Sequence, residues 1–81
     1  MRVKYTNRFL VSYKKAPFKI RSAVDRKIEL LITNLRHPSL CSKKYDETRG
    51  VWQARVNNDW RFYFLIEGHT YHLIDMMRHP K

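Results

Sequence analysis

Between Trp52 and Phe64 apolar and polar side chains alternate, break off over Asn57–Asp59, and alternate again. Trp52, Ala54 and Val56 interleave with Gln53, Arg55 and Asn57; beyond the break, Trp60, Phe62 and Phe64 interleave with Arg61 and Tyr63. A period of two in two adjacent runs predicts a half-buried β-hairpin. A loop over Asn57–Asp59 pairs Val56 with Trp60 and Ala54 with Phe62. That register gathers the apolar residues of both strands on one face and sets Arg55 opposite Arg61 on the other. Like charges directly opposite each other destabilise a strand pair, so the register predicts an anion above the two arginines.

The remaining elements follow from the same patterning. Met1–Tyr5 reads as a short strand. Thr6 is a suitable N-cap for a first helix over Asn7–Lys15, with Phe9 and Tyr13 on one stripe and Lys14 and Lys15 at the negative C-terminal end. Pro17 fits the first turn of a second helix, in which Ile20, Val24, Ile28, Leu31 and Leu35 recur at amphipathic spacing. Pro38 disfavours a helical His37, so this helix is expected to end near Leu35 or Arg36. Residues 38–50 read as a polar connector. Strands are expected over Val51–Asn57, Trp60–Ile66 and Tyr71–Met77. An odd loop before the last strand turns His72, Ile74 and Met76 to the core; an even loop turns Tyr71, Leu73, Asp75 and Met77 there. Burying Asp75 without a partner is costly, which favours the odd loop and brings His79 to the face of Arg55 and Arg61. The order strand, helix, helix, three-strand meander predicts an α+β fold, two helices on one face of a small, mostly antiparallel sheet. Residues 1–81 are expected to form one domain.

Charge adds a partner class. Seventeen Lys and Arg against seven Asp and Glu give a formal net charge of +10 and a pI near 10.2. Such a chain attracts nucleic acid, acidic proteins or anionic membranes; the alternative is a basic domain with a solvated surface. Cys41 is the one cysteine, which excludes an internal disulfide and fits a reducing cytoplasm. Arg2, Lys4 and Arg8 interrupt any apolar leader, and no stretch approaches the roughly 20 apolar residues of a membrane span. The four histidines show no metal-ligand spacing, so neither metal nor cofactor is expected.

In order, the segments Leu35-Arg36-His37-Pro38-Ser39-Leu40, Lys43-Lys44, Trp52-Gln53-Ala54-Arg55-Val56, Trp60-Arg61-Phe62-Tyr63-Phe64 and Arg78-His79-Pro80-Lys81 resemble the RelE-like branch of the RelE/ParE superfamily of toxin–antitoxin toxins. The resemblance spans nearly the whole chain. It implies a metal-free endoribonuclease that cuts mRNA at a 70S-type ribosome and so inhibits translation. It also implies a cognate antitoxin, acidic where it binds the toxin, and no membrane partner. A ParE-like topoisomerase inhibitor or an RNA-binding relative that does not cleave is the alternative. By the same resemblance, Arg55, Arg61 and His79 match catalytic positions. Lys43, Lys44, Tyr63, Arg78 and Lys81 fall where RNA would be held. Many members place a Tyr or Phe after the last strand; none follows His79 here, and Tyr63 is the substitute.

The chemistry requires such groups. In metal-free RNA cleavage the 2′-hydroxyl attacks the adjacent phosphate. A base takes the hydroxyl proton, an acid protonates the leaving oxygen, and cations stabilise the crowded phosphorane-like transition state. Arginine suits the last task because its fork pairs bidentately with phosphate and stays protonated. Histidine suits proton transfer; a lysine beside two arginines, Lys43 or Lys44, is the other candidate. The alternative for Arg55 and Arg61 is an ordinary ion pair with Asp59 or Asp75.

Overall fold

The computed structural model describes residues 1–79, so Lys81, expected at the RNA-holding end, lies outside the described residues. Strand β1 (Arg2–Tyr5) leads into helix α1 (Asn7–Lys15) and helix α2 (Phe18–Thr33). A 3-10 turn at Pro38–Leu40 precedes β2 (Lys43–Asp46), β3 (Val51–Arg55), β4 (Trp60–Glu67) and β5 (Thr70–Arg78). They form one five-stranded sheet in the order β1-β5-β4-β3-β2, parallel only between β1 and β5. The fold is α+β, as the patterning predicts, with four strands rather than three after the helices.

The core lies between the helices and one sheet face. Phe9 of α1 and Val24, Ile28 and Leu31 of α2 are buried against Ala54, Val56, Phe62, Phe64, Tyr71, Leu73 and Met76. Trp52 stacks on Phe64 at 6.2 Å between ring centroids, and Tyr71 meets Phe64 edge-on at 5.5 Å. Tyr13 ties the helices together by donating its hydroxyl to Asp25 at 2.8 Å.

Two expectations are corrected. Helix α2 stops at Thr33, short of Leu35, because Asn34 turns the chain: its side-chain oxygen accepts from the Arg36 N–H at 3.0 Å and its carbonyl from the His37 N–H at 3.0 Å. Asparagine offers the backbone this alternative to a further helical turn. Leu35 still packs on the core, and His37 caps the 3-10 turn. The expected connector 38–50 holds that turn and the edge strand β2. Its hairpin to β3 closes where Asp46 accepts from the Arg49 N–H at 3.2 Å and Gly50 takes a φ of +67°.

Neither expected register of β5 holds along its whole length. Gly68, at φ +59°, with His69 makes a two-residue loop, the geometry in which glycine is favoured at the first central position. This even loop turns Tyr71 and Leu73 inward. Then the ladder shifts: Phe64 faces Leu73, but Tyr63 faces Asp75, leaving Ile74 as a β-bulge. The extra residue reverses the parity. Met76 is thereby buried opposite Phe62, while Asp75 and Met77 turn to the other face.

Thr6 holds the bulge. Its hydroxyl donates to the Leu73 carbonyl at 2.9 Å, with the Ile74 carbonyl at 3.2 Å, and accepts from the Phe9 N–H at 3.2 Å. One hydroxyl therefore caps α1 and satisfies the displaced strand. Thr6→Val should cost about 1–2 kcal/mol, lowering the melting temperature by roughly 4–16 °C in a domain of this size, whereas Thr6→Ser should stay near wild type. Thermal unfolding of the two variants checks this; an unchanged midpoint for Thr6→Val would remove the clamp from the account.

Candidate RNA-binding face

The sheet face turned away from the helices carries the polar residues of the central hairpin. Arg55 pairs with Arg61 and Gln53 with Tyr63, as the sequence pattern predicts. Extending each row across the sheet gives Arg55, Arg61 and Met77 in one, and Lys43, Gln53, Tyr63 and Asp75 in the next. Paired residues share a face, and successive rows lie two residues apart, about 7 Å.

The opposed guanidinium groups are held by the turn between their strands. Arg55 donates to the Asn58 side-chain oxygen. Arg61 donates to the Asn57 carbonyl at 2.6 Å and to the Trp60 carbonyl at 3.0 Å. Asn57 organises that turn by accepting from the Asp59 and Trp60 N–H groups at 2.8 and 2.9 Å. The acceptors are neutral amide oxygens, which orient the two cations without changing their charge. Asp75, one of the two carboxylates considered as their partners, is engaged elsewhere. It accepts from Arg8 Nε at 3.0 Å, Ser12 Oγ at 2.7 Å and the Met76 N–H at 2.8 Å.

The lysine pair divides. Lys43 pairs with Gln53 and so falls on the arginine face. Lys44 pairs with Trp52 on the helix side and sets its ammonium 5.3 Å from the indole centroid, a cation–π geometry. Arg78, opposite Trp60, likewise falls on the helix-side register, at the exposed margin. His79 is exposed and donates its backbone N–H to the Asp59 carbonyl at 2.6 Å. That bond carries the chain one step past the last β5 pair, where alternation assigns His79 to the side of Met77 and Arg61.

Tyr63 is on the polar face but only 6% exposed. Tyr45 of β2 leans edge-on against it, 4.9 Å between ring centroids, and is itself 60% exposed. Burial first, then Tyr45 and Asp75, push the Tyr63 phenol above its ordinary value, against the opposing pull of Arg61. The hydroxyl is thus a proton donor at neutral pH and a poor base. Arg49 extends the cationic rim and bonds Asp46 through Nε at 2.8 Å, holding that carboxyl below the usual carboxylate range.

Tyr45, Arg49 and Arg8 join this face without having been singled out in the sequence. The available signal was the run from Asp46 to Gly50, a turn able to fold Lys43–Asp46 back onto β3. No three His, Cys, Asp or Glu side chains among the described residues lie together as a metal-holding group. No helix among them is long and apolar enough to cross a membrane.

No family model and no curated protein matches the chain. Solved structures do. A YoeB/ParE toxin from Agrobacterium tumefaciens superposes with a TM-score of 0.80 at 14% identity, covering 99% of this chain and 100% of that one. The E. coli DinJ-YafQ complex contains a chain that matches with a TM-score of 0.81 at 19% identity, over 98% of this chain and 94% of the other. A chain of the RelB-RelE antitoxin-toxin complex from Methanococcus jannaschii gives 0.76 at 18% identity, over 91% and 87%.

Raised phenol values make stability depend on alkaline pH. Burial lifts Tyr71 as well as Tyr63. A folded-state value above the unfolded one stabilises fully below the unfolded value, and that contribution is lost as pH rises through the folded value. Stability should therefore fall above pH 10, the ordinary tyrosine value, and fall less steeply in Tyr63→Phe. Urea unfolding at pH 8 and pH 11 compares the slopes; equal slopes would show that Tyr63 does not titrate differently in the fold. The match over the whole length, at this architecture and strand order, shows that the chain has the fold of the RelE/ParE superfamily toxins.

Proposed function

We propose that the chain is the toxin of a type II toxin–antitoxin system, a metal-independent, ribosome-associated endoribonuclease that cleaves mRNA and stops translation. The observation that carries this reading is the Arg55–Arg61 pair, opposed in register and oriented by turn amides on a face shared with Lys43. Two cations fixed side by side fit a phosphate in which negative charge accumulates, and the preset orientation removes a reorganisation cost at the moment of reaction. A pure protein-binding surface has no need for this arrangement. Arg55 and Arg61 would stabilise the phosphorane-like transition state, Lys43 would position the strand, and His79 would transfer a proton. The Tyr63 hydroxyl, held protonated, would serve as a donor to the phosphate or the leaving oxygen.

The partner in this reading is a cognate antitoxin with an acidic toxin-binding segment that folds on a surface of net charge +10. The YafQ and RelE structures with this fold are complexes with DinJ and RelB. A ParE-like topoisomerase inhibitor is the second reading, favoured by the fold match to a structure named YoeB/ParE.

Expression without the antitoxin should arrest growth, with pulse-labelled protein synthesis falling before DNA synthesis. Arg55→Ala and Arg61→Ala should each abolish the arrest while unfolding near the wild-type temperature, since each removal relieves like-charge repulsion. DNA synthesis failing first would select the topoisomerase reading, and full toxicity in a folded double variant would remove this face from the mechanism.

His79→Gln should slow cleavage about 10²–10⁴-fold, the usual contribution of a general acid or base, with little loss of binding. Single-turnover cleavage of a ribosome-bound message measures it. A near-wild-type rate would pass the proton-transfer role to Lys43 or Tyr63.

A further inference from the structure

Tyr45 stands out on the polar face as the residue at which the backbone of β2 departs from regularity. Lys44 pairs with Trp52 and Asp46 with Val51, so Tyr45 is an extra residue in β2, a bulge in an edge strand. Bulges re-aim side chains and recur beside functional sites. Alternation from Lys43 already turns the Tyr45 ring to this face, where it meets Tyr63 in an edge-type contact and the residue stays 60% exposed. Beside it opens a hollow of about 190 Å³ with Val51, Tyr63 and Met77 as apolar wall and Arg49 and Asp75 at its rim.

We propose that this hollow is a nucleobase subsite, in which Tyr45 stacks on a base of single-stranded RNA whose backbone crosses the arginine pair. The inference rests on the reading of this face as an RNA site and adds where a base is held. Tyr63, the floor of the hollow, is the next same-face residue along β4 from Arg61, about 7 Å away, within one or two nucleotide steps of a phosphate over Arg55 and Arg61. Unpaired bases are commonly held by stacking on aromatic rings beside cations that track the backbone. Arg49 at the rim is bonded to Asp46, so the local cations for the strand are those of the Arg55–Arg61 pair, and a net charge of +10 favours a polyanionic strand over an apolar ligand. Asp75 is already occupied by Arg8 and Ser12, so its charge is balanced within the protein. Every base has a π-face, so stacking here is sequence-tolerant.

The test uses a short 2′-O-methyl oligoribonucleotide, which lacks the attacking hydroxyl and cannot be cleaved, carrying 2-aminopurine at successive positions. Wild-type protein should quench the fluorophore at one position. Tyr45→Ala should remove that quenching and weaken binding about 5- to 150-fold, the range expected for losing one base–aromatic stack. Tyr45→Phe and Tyr45→Trp should restore both, which a merely structural role for the phenol would not require. An abasic residue at the quenched position should weaken wild-type binding by a similar factor and leave Tyr45→Ala unaffected. If Tyr45→Ala, folded to the wild-type melting temperature, binds and quenches normally while Arg55→Ala and Arg61→Ala bind weakly, the subsite is wrong and the RNA face stands. If wild-type protein binds no oligoribonucleotide, free or on the ribosome, both fall together.

Discussion

The bulge at Ile74 sets the two faces of the sheet. A two-residue loop at Gly68 and His69 fixes the parity of β5 at its start, and without interruption that parity would carry Asp75 into the core opposite Phe62. It would also push Met76 out and turn His79 to the helix side. One extra residue reverses all three. The cost of a bulge is a pair of backbone groups removed from the ladder, and Thr6 offsets it by donating to the Leu73 and Ile74 carbonyls while capping α1. Helix α1 then lies close enough for Arg8 and Ser12 to engage Asp75. The start of the helix, the core packing of Met76 and the face to which alternation assigns His79 thus depend on one hydroxyl and one displaced residue.

On the polar face the structure accepts an unfavourable pairing. Opposed arginines repel, and the turn that joins their strands meets the guanidinium groups with amide oxygens. Carboxylates in those positions would neutralise the pair and compete with any phosphate. Neutral acceptors fix direction and leave charge available to a ligand. The same selectivity is visible at Asp75: it lies two residues from Met77, the residue opposite Arg61, yet its oxygens are taken up by α1.

The register of the central hairpin was legible in the sequence because large apolar residues alternate on both arms and a single loop length satisfies them all. The Thr6 cap and the bounds of α1 were legible for a similar reason, a strong local signal at each end. Strand β2 was not. Its one large apolar side chain, Tyr45, is exposed, so Lys43–Asp46 has no hydrophobic alternation to betray it and exists by pairing with β3. The last strand defeated both parity readings because a bulge breaks the period on which either rests, and the aversion to burying Asp75 was the correct physical objection applied to the wrong solution. Lys43 and Lys44 were equivalent as a charged pair in sequence; only the ladder separates a cation on the arginine face from one packed over Trp52.

These placements give the basic surface a direction that net charge alone does not. Lys44 and Arg78 share the helix-side register with Trp52 and Trp60, where their charge serves general attraction of polyanions. Lys43, Arg55 and Arg61 share the other face, where the sheet rows set their spacing. The bulge in β5 brings Asp75 and Met77 to that face, and alternation from Lys43 along β2 brings Tyr45. An edge strand of four residues with a bulge is also a poor template for a further strand. The irregularity beside Tyr45 therefore protects the sheet edge that furnishes the face with its exposed ring beside the hollow.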